Sequence, residues 1–168
     1  MLGLYENFPS IIQMSKTFNT TLSSKQLQQK LIKVFCETNK REFSFEEVAN
    51  PTFPDSTVIF EFGLAEKVGF TFIDEQETEK VLSFLSNDYL QTIDFFCAIR
   101  YYKGKQEKKT PLKFDYYLIR TQYSRESFEV QIHHERGPRY LSPEDLTQFI
   151  SSKINLDSSK KFLKEIGY

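Results

Sequence analysis

Apolar residues recur along this chain with two different periods. Near the start, Leu27, Leu31, Val34 and Phe35 of SSKQLQQKLIKVFCETN fall on one face of a helix. Ser23 and Gln26 have the spacing of a capping box, so the pattern predicts a helix over about 24–38. The period then drops to two. Phe43 and Phe45 alternate with polar residues in REFSFEEV, Val58, Phe60 and Phe62 do so in STVIFEFG, and Val68, Phe70 and Phe72 in VGFTFI. Each stretch predicts a strand with one buried face. The prolines of NPTFPD separate the first from the second, and GLAEKVG reads as the hairpin connection between the second and third.

Helical spacing returns in DEQETEKVLSFLSND, where Val81, Leu82 and Leu85 form the buried stripe. Asp74 suits the N-cap, and Glu75 and Glu77 suit the positive end of the helix dipole. Three longer strands follow. Ile93, Phe95, Cys97, Ile99 and Tyr101 share a face; Phe114, Tyr116 and Leu118 share the next; Phe128, Val130, Ile132 and His134 share the third. The lysine-rich KGKQEKKTP and the short SRES join them as an antiparallel meander. SPEDLTQFISSKI predicts a helix with Ser142 as N-cap, Pro143 at its first position and Leu146, Phe149 and Ile150 facing inward. DSSKKFLKEIGY predicts a short terminal helix with Gly167 near its end.

The order is therefore α-βββ-α-βββ-α-α: an α+β fold of about six mostly antiparallel strands with helices packed on the sheet. One continuous sheet and two packed three-stranded sheets both fit. A single domain over 1–168 accommodates the order. Three strands and a helix occurring twice points to a βββα duplication with halves 1–88 and 89–168, although no residue-level match between the halves supports it.

Composition sharpens a few points. A chain of 168 residues buries a sizeable core without covalent staples. Its 17 Phe and 9 Tyr, with no Trp, suit pleated half-buried surfaces and reinforce the sheet reading. Cys36 and Cys97 lack metal-ligand spacing, which fits two buried thiols in a reducing, cytoplasmic setting. No apolar run reaches the ~18–20 residues that span a bilayer, so no membrane role is implied. MLGLYENFPSIIQMSK lacks the basic and apolar regions of a signal peptide, which makes the sequon at Asn19-Thr20-Thr21 a chance match.

Net charge is −1, so no global field favours nucleic acid. The distribution is uneven, however. Residues 99–140 carry ten Lys or Arg against five Asp or Glu, and six of the tyrosines. Within that window QIHHERGPRY holds both histidines. Adjacent residues on a strand point to opposite faces, so His133 and His134 do not chelate one ion together. His134 follows the apolar phase toward a core edge, while His133 shares the outer face with Glu129, Gln131 and Glu135. His133 and Glu135 offer two ligands where zinc needs three or four, so no metal is assigned. Arg136 and Arg139 precede a helix whose first turn already holds Glu144 and Asp145, so local ion pairs are their expected partners.

The outer face of the last three strands is the third constellation. The phases place Phe96, Arg100 and Tyr102 there, with Lys113, Tyr117 and Tyr123 beside them and His133 on the next strand. Lys103, Lys105, Lys108 and Lys109 in the hairpin loop extend the positive field. Aromatics interleaved with cations stack bases and track a phosphate backbone.

Catalytic motifs are missing: no P-loop, GxGxxG, HExxH or GxSxG occurs. Cys97 on an apolar strand face makes a poor nucleophile. The leading expectation is thus a non-enzymatic intracellular binding module without cofactor. Its basic, tyrosine-rich sheet face over residues 96–140 would take RNA, single-stranded DNA or an acidic protein partner, through Arg100, Tyr102, Lys113, Tyr117, Tyr123, His133, Arg136 and Arg139. A homo-oligomer is compatible with this. The rival class is an enzyme acting on phosphorylated small molecules, with Arg120, Arg136 and Arg139 as anion binders and Glu129 or Glu61 as base or metal ligand. A subunit of a larger assembly, without chemistry of its own, is the third.

Overall fold

A computed structural model describes residues 2–50, 54–104, 108–156 and 161–166. Along them run β1 (Met14–Thr20), α1 (Ser24–Asn39), β2 (Glu42–Ser44), α2 (Phe45–Val48), β3 (Ser56–Glu66), β4 (Gly69–Phe72) and α3 (Glu75–Asn87). Then come β5 (Thr92–Lys103), β6 (Thr110–Pro111), β7 (Asp115–Ser124), β8 (Ser127–Arg136), α4 (Pro143–Asn155) and β9 (Leu163–Glu165). All nine strands belong to one antiparallel sheet in the order β2-β3-β5-β7-β8-β1-β9, with β4 added to β3 and β6 to β5. The fold is α+β, with more strands than the six the alternation predicts. The strands of the two halves meet directly in one sheet, because β3 pairs with β5 from Ser56↔Lys103 to Phe62↔Cys97.

One face of the sheet is apolar and carries the helices. Phe60 and Phe62 of β3, Phe95, Cys97 and Ile99 of β5, Ile119 of β7 and Phe128, Val130 and Ile132 of β8 are buried there. Helix α1 brings Leu27, Leu31, Ile32 and Phe35 against them. Phe35 stacks on Phe62 with ring centroids 3.9 Å apart and meets the edge of Phe95 at 4.8 Å. Phe149 of α4 stacks on Phe60 at 4.8 Å. Such pairs add about 1 kcal/mol each beyond the area they bury. The predicted caps are present: Ser23 and Gln26 bond reciprocally, Asp74 accepts from Glu77 N, and Ser142 from Asp145 N.

Four expectations are corrected. First, Met14–Thr20 is a strand with weak alternation that pairs with β8 from Met14↔Ile132 to Asn19↔Ser127. Second, REFSFEEV is a strand only through Ser44, where a second capping box with Glu47 turns the chain into α2. Third, Leu163–Glu165 is not helical. It pairs with β1 and is held by the Asn155 amide, which bonds both the N–H and the carbonyl of Leu163. Residues 157–160 and Gly167 of that predicted helix lie outside the described residues. Fourth, the phase of β7 is reversed: Asp115, Tyr117, Ile119, Thr121 and Tyr123 face the core, and Tyr116, Leu118 and Arg120 face out. Tyr116 to Ile119 are all bulky, so alternation alone does not choose a face there. The choice comes from register, which sets Tyr117 beside Cys97 and Ile119 beside Phe95.

The outer face is crossed by the segment 2–13. Gly3 N–H donates to Ala65 O at 2.8 Å, and Glu6 N–H to Lys67 O at 2.8 Å. Farther along, Gln13 N–H donates to Ile132 O at 3.0 Å. This strap leaves open the end of the face nearest the start of β7. Among the described residues no helix is long and apolar enough to cross a membrane.

Candidate functional site

Two charged residues interrupt β5 and β7 at the same register. Asp94 and Arg120 are directly opposed on the outer face. Asp94 is fully buried, and Arg120 grips both its oxygens, Nε to Oδ1 at 2.8 Å and Nη2 to Oδ2 at 2.9 Å. That bond holds the guanidinium pKa above its usual value. Tyr5 N–H adds a bond to Asp94 Oδ2 at 2.8 Å, and the Arg120 guanidinium lies 4.3 Å from the Phe8 ring. Arg120 is therefore an anchor for the strap rather than a free anion binder. The pairing of Asp94 with Arg120 depends on the register of β5 against β7 and is not visible in either strand alone.

A second buried carboxylate organises the turn after β8. Asp115 Oδ2 accepts from Tyr101 Oη at 2.6 Å and Tyr140 N–H at 3.0 Å. Its Oδ1 accepts from Arg139 N–H at 2.7 Å and lies 3.0 Å from His134 Nε2. Arg139 Nε donates to His134 Nδ1 at 3.3 Å, which leaves Nε2 as the protonated nitrogen facing Asp115. Tyr101 Oη also accepts from Leu141 N–H at 2.9 Å, and Tyr117 donates to Leu141 O at 2.6 Å. Burial, then the bond to Asp115, pushes the Tyr101 phenol far up, and burial does the same to Tyr117. Gly137 completes the turn at φ +120, where a Cβ would come within 2.3 Å of Phe114 O. Arg139 and Tyr117 are thus fastened into this turn and the core.

A bulge in the β7–β8 ladder, which pairs Tyr117 with His134 but Tyr116 with Arg136, places Arg136 on the outer face. Its guanidinium lies 4.7 Å from the Tyr116 ring, which in turn stacks on Phe96 at 5.9 Å. Leu112, Lys113 and Phe114 on one side and Arg136, Gly137 and Pro138 on the other enclose a groove of about 620 Å³, with Tyr116 between them. Neither Lys113 nor Arg136 has a carboxylate partner among the described residues. The expected pairs of Arg136 and Arg139 with Glu144 and Asp145 do not form. Tyr102 approaches the groove, its ring 6.2 Å from Phe114, and Arg100 is held by Glu61 at 2.9 Å and points Nη1 at Tyr102 Oη, 3.4 Å away.

Other candidates fall elsewhere. Tyr123 is buried beside Phe128, its hydroxyl 2.8 Å from Thr121 Oγ1. Tyr117 and Tyr123 therefore leave the outer-face set. His133 is on the outer face but covered by the strap, with Nδ1 2.6 Å from Ile11 O and Nε2 3.1 Å from Glu135. Lys103 and Lys108 are exposed, Lys109 pairs with Glu42 at 2.8 Å, and Lys105 lies outside the described residues. Glu129 accepts from Ser15 and Gln131, and Glu61 is taken by Arg100. Among the described residues no three His, Cys, Asp or Glu side chains gather as a metal ion requires. Burial raises the Cys97 thiol well above its ordinary value. What the structure brings together is Arg100, Tyr102, Lys113 and Arg136 around Phe114 and Tyr116, two aromatics that alternation alone assigns to the core face. Comparison of the chain with protein-family models, with characterised proteins and with solved structures found no match.

Proposed function

We propose that this chain is a non-enzymatic cytoplasmic binding module that takes single-stranded nucleic acid in the groove beside Tyr116. The observation that carries the reading is the stacked series Phe96–Tyr116–Arg136, which ends in an exposed guanidinium with Lys113 alongside. A guanidinium plane accepts a base as readily as an aromatic ring does, so a base forms the next layer of the stack. Lys113 then neutralises a phosphate, and the exposed Lys103 and Lys108 lengthen the positive track. Two free buried cysteines suit a reducing compartment.

Fluorescence anisotropy with labelled oligo-U and oligo-dT of twelve nucleotides, at rising salt, tests this. Phosphate contacts at Lys103, Lys108 and Lys113 give a slope of roughly −2.1 in log affinity against log salt. Charge reversal at Lys113 and Arg136 should remove binding while the melting temperature holds. Absence of binding to either strand at low ionic strength rejects the reading and leaves an acidic protein as the partner of this groove.

A further inference from the structure

The helix-covered side of the molecule has its own open groove. It runs along α1 to α4, encloses about 560 Å³, and has Leu22, Val34, Phe43 and Leu156 among its apolar lining. Leu156, at its edge, is 55% exposed. Four cations border the groove: Lys30, Lys33, Arg41 and Lys153. Rings hold three of them in place. Arg41 lies 4.3 Å and Lys153 5.2 Å from the Phe43 ring, and Lys30 is 5.5 Å from Phe162. Arg41 also meets Glu47 at 3.3 Å, but Lys30, Lys33 and Lys153 have no carboxylate partner among the described residues. The one acid lining the groove, Glu37, faces Lys40 at 3.5 Å.

We propose that this groove docks an acidic amphipathic segment of a partner protein. Charge complementarity selects the occupant. Lys30 and Lys33 stand one turn apart on α1, ~4.5 Å at ~1.5 Å per residue, Arg41 follows just beyond the end of the helix, and Lys153 faces them from α4. A single lipid headgroup at one end answers at most one or two of them. A peptide helix with carboxylates along its length answers all, while its apolar residues at i, i+3 and i+7 meet Leu22, Val34 and Leu156. This site is independent of the nucleic-acid groove, because α1 and α4 pack on the sheet face opposite Tyr116.

The probe is a labelled sixteen-residue synthetic helix with Leu at i, i+3, i+4 and i+7 and Glu between. Its controls are the same composition with scrambled apolar positions, the same peptide with Gln for Glu, palmitate, and phosphatidylglycerol vesicles. The expected result is saturable binding of the Glu peptide alone, with amide shifts at residues 26–41 and 153–156. The double variant Lys33→Glu, Lys153→Glu should weaken it about tenfold or more, and Leu156→Ser should weaken it with the circular dichroism spectrum unchanged. Failure of the Glu peptide to bind, indifference to charge reversal, shifts at other residues, or displacement of the peptide by palmitate or vesicles each overturns the proposal.

Discussion

Asp115 is the residue on which the candidate site depends most. Its two oxygens meet four polar groups, from Tyr101, His134, Arg139 and Tyr140, and so fix the turn that presents Arg136 to Tyr116. Asp115→Asn keeps the shape but turns one acceptor into a donor. Donors facing that atom are left unpaired inside the protein, at about 1–3 kcal/mol for each such group. The expected outcome is a lower urea midpoint, corresponding to a loss of about 2 kcal/mol or more in stability, and weaker oligonucleotide binding, because Arg136 loses its support. Binding unchanged in a destabilised Asp115→Asn protein would separate the turn from the site. Nothing in the local sequence marks Asp115 as such a centre. It sits in an aromatic strand, and its partners come from three separate stretches.

At the scale of elements, strands and helices with strong periodicity were legible. Helices α1, α3 and α4 and the β5–β7–β8 meander lie where apolar spacing and caps place them; the β3–β4 hairpin forms as well, but Val68 and Phe72 of its expected buried face are exposed. Short or weakly patterned strands were not. β1 has little alternation and β9 is three residues long, and each exists because a neighbour offers unpaired backbone groups. Both sides of β7 are bulky, so alternation does not choose its faces; register sets Tyr117 and Tyr123 in the core and Tyr116 outside. The Asp94–Arg120 clasp belongs to this scale as well, since it binds the 2–13 strap to the sheet. Arg120→Ala leaves Asp94 buried without its counter-ion, at about 3 kcal/mol. Faster proteolysis within 2–13 should accompany that loss, measured against the unaltered chain. An unchanged cleavage rate would show that the strap is held by its backbone bonds alone.

For the molecule as a whole, burial of Tyr101, Tyr117 and Tyr123 sets its alkaline limit. Burial raises all three phenols, with the Asp115 bond adding to Tyr101, above the ~10 expected in an unfolded chain. Above pH about 10 the folded state therefore binds more protons than the unfolded one, so stability is complete below that pH and falls as pH rises past it. Urea midpoints followed between pH 8 and 11.5 should drop only beyond pH 10, with tyrosinate absorbance rising together with unfolding. Ionisation of these tyrosines ahead of unfolding would contradict their burial. The two sheet sides also divide the surface: a basic aromatic groove on the outer face, and a basic apolar groove between α1 and α4. The most direct test of the central claim maps backbone amide shifts while oligo-U is added. The account expects shifts concentrated at residues 112–118 and 134–138, lost in Arg136→Glu. Shifts confined to 26–41 and 153–156, or none at low salt, would contradict it.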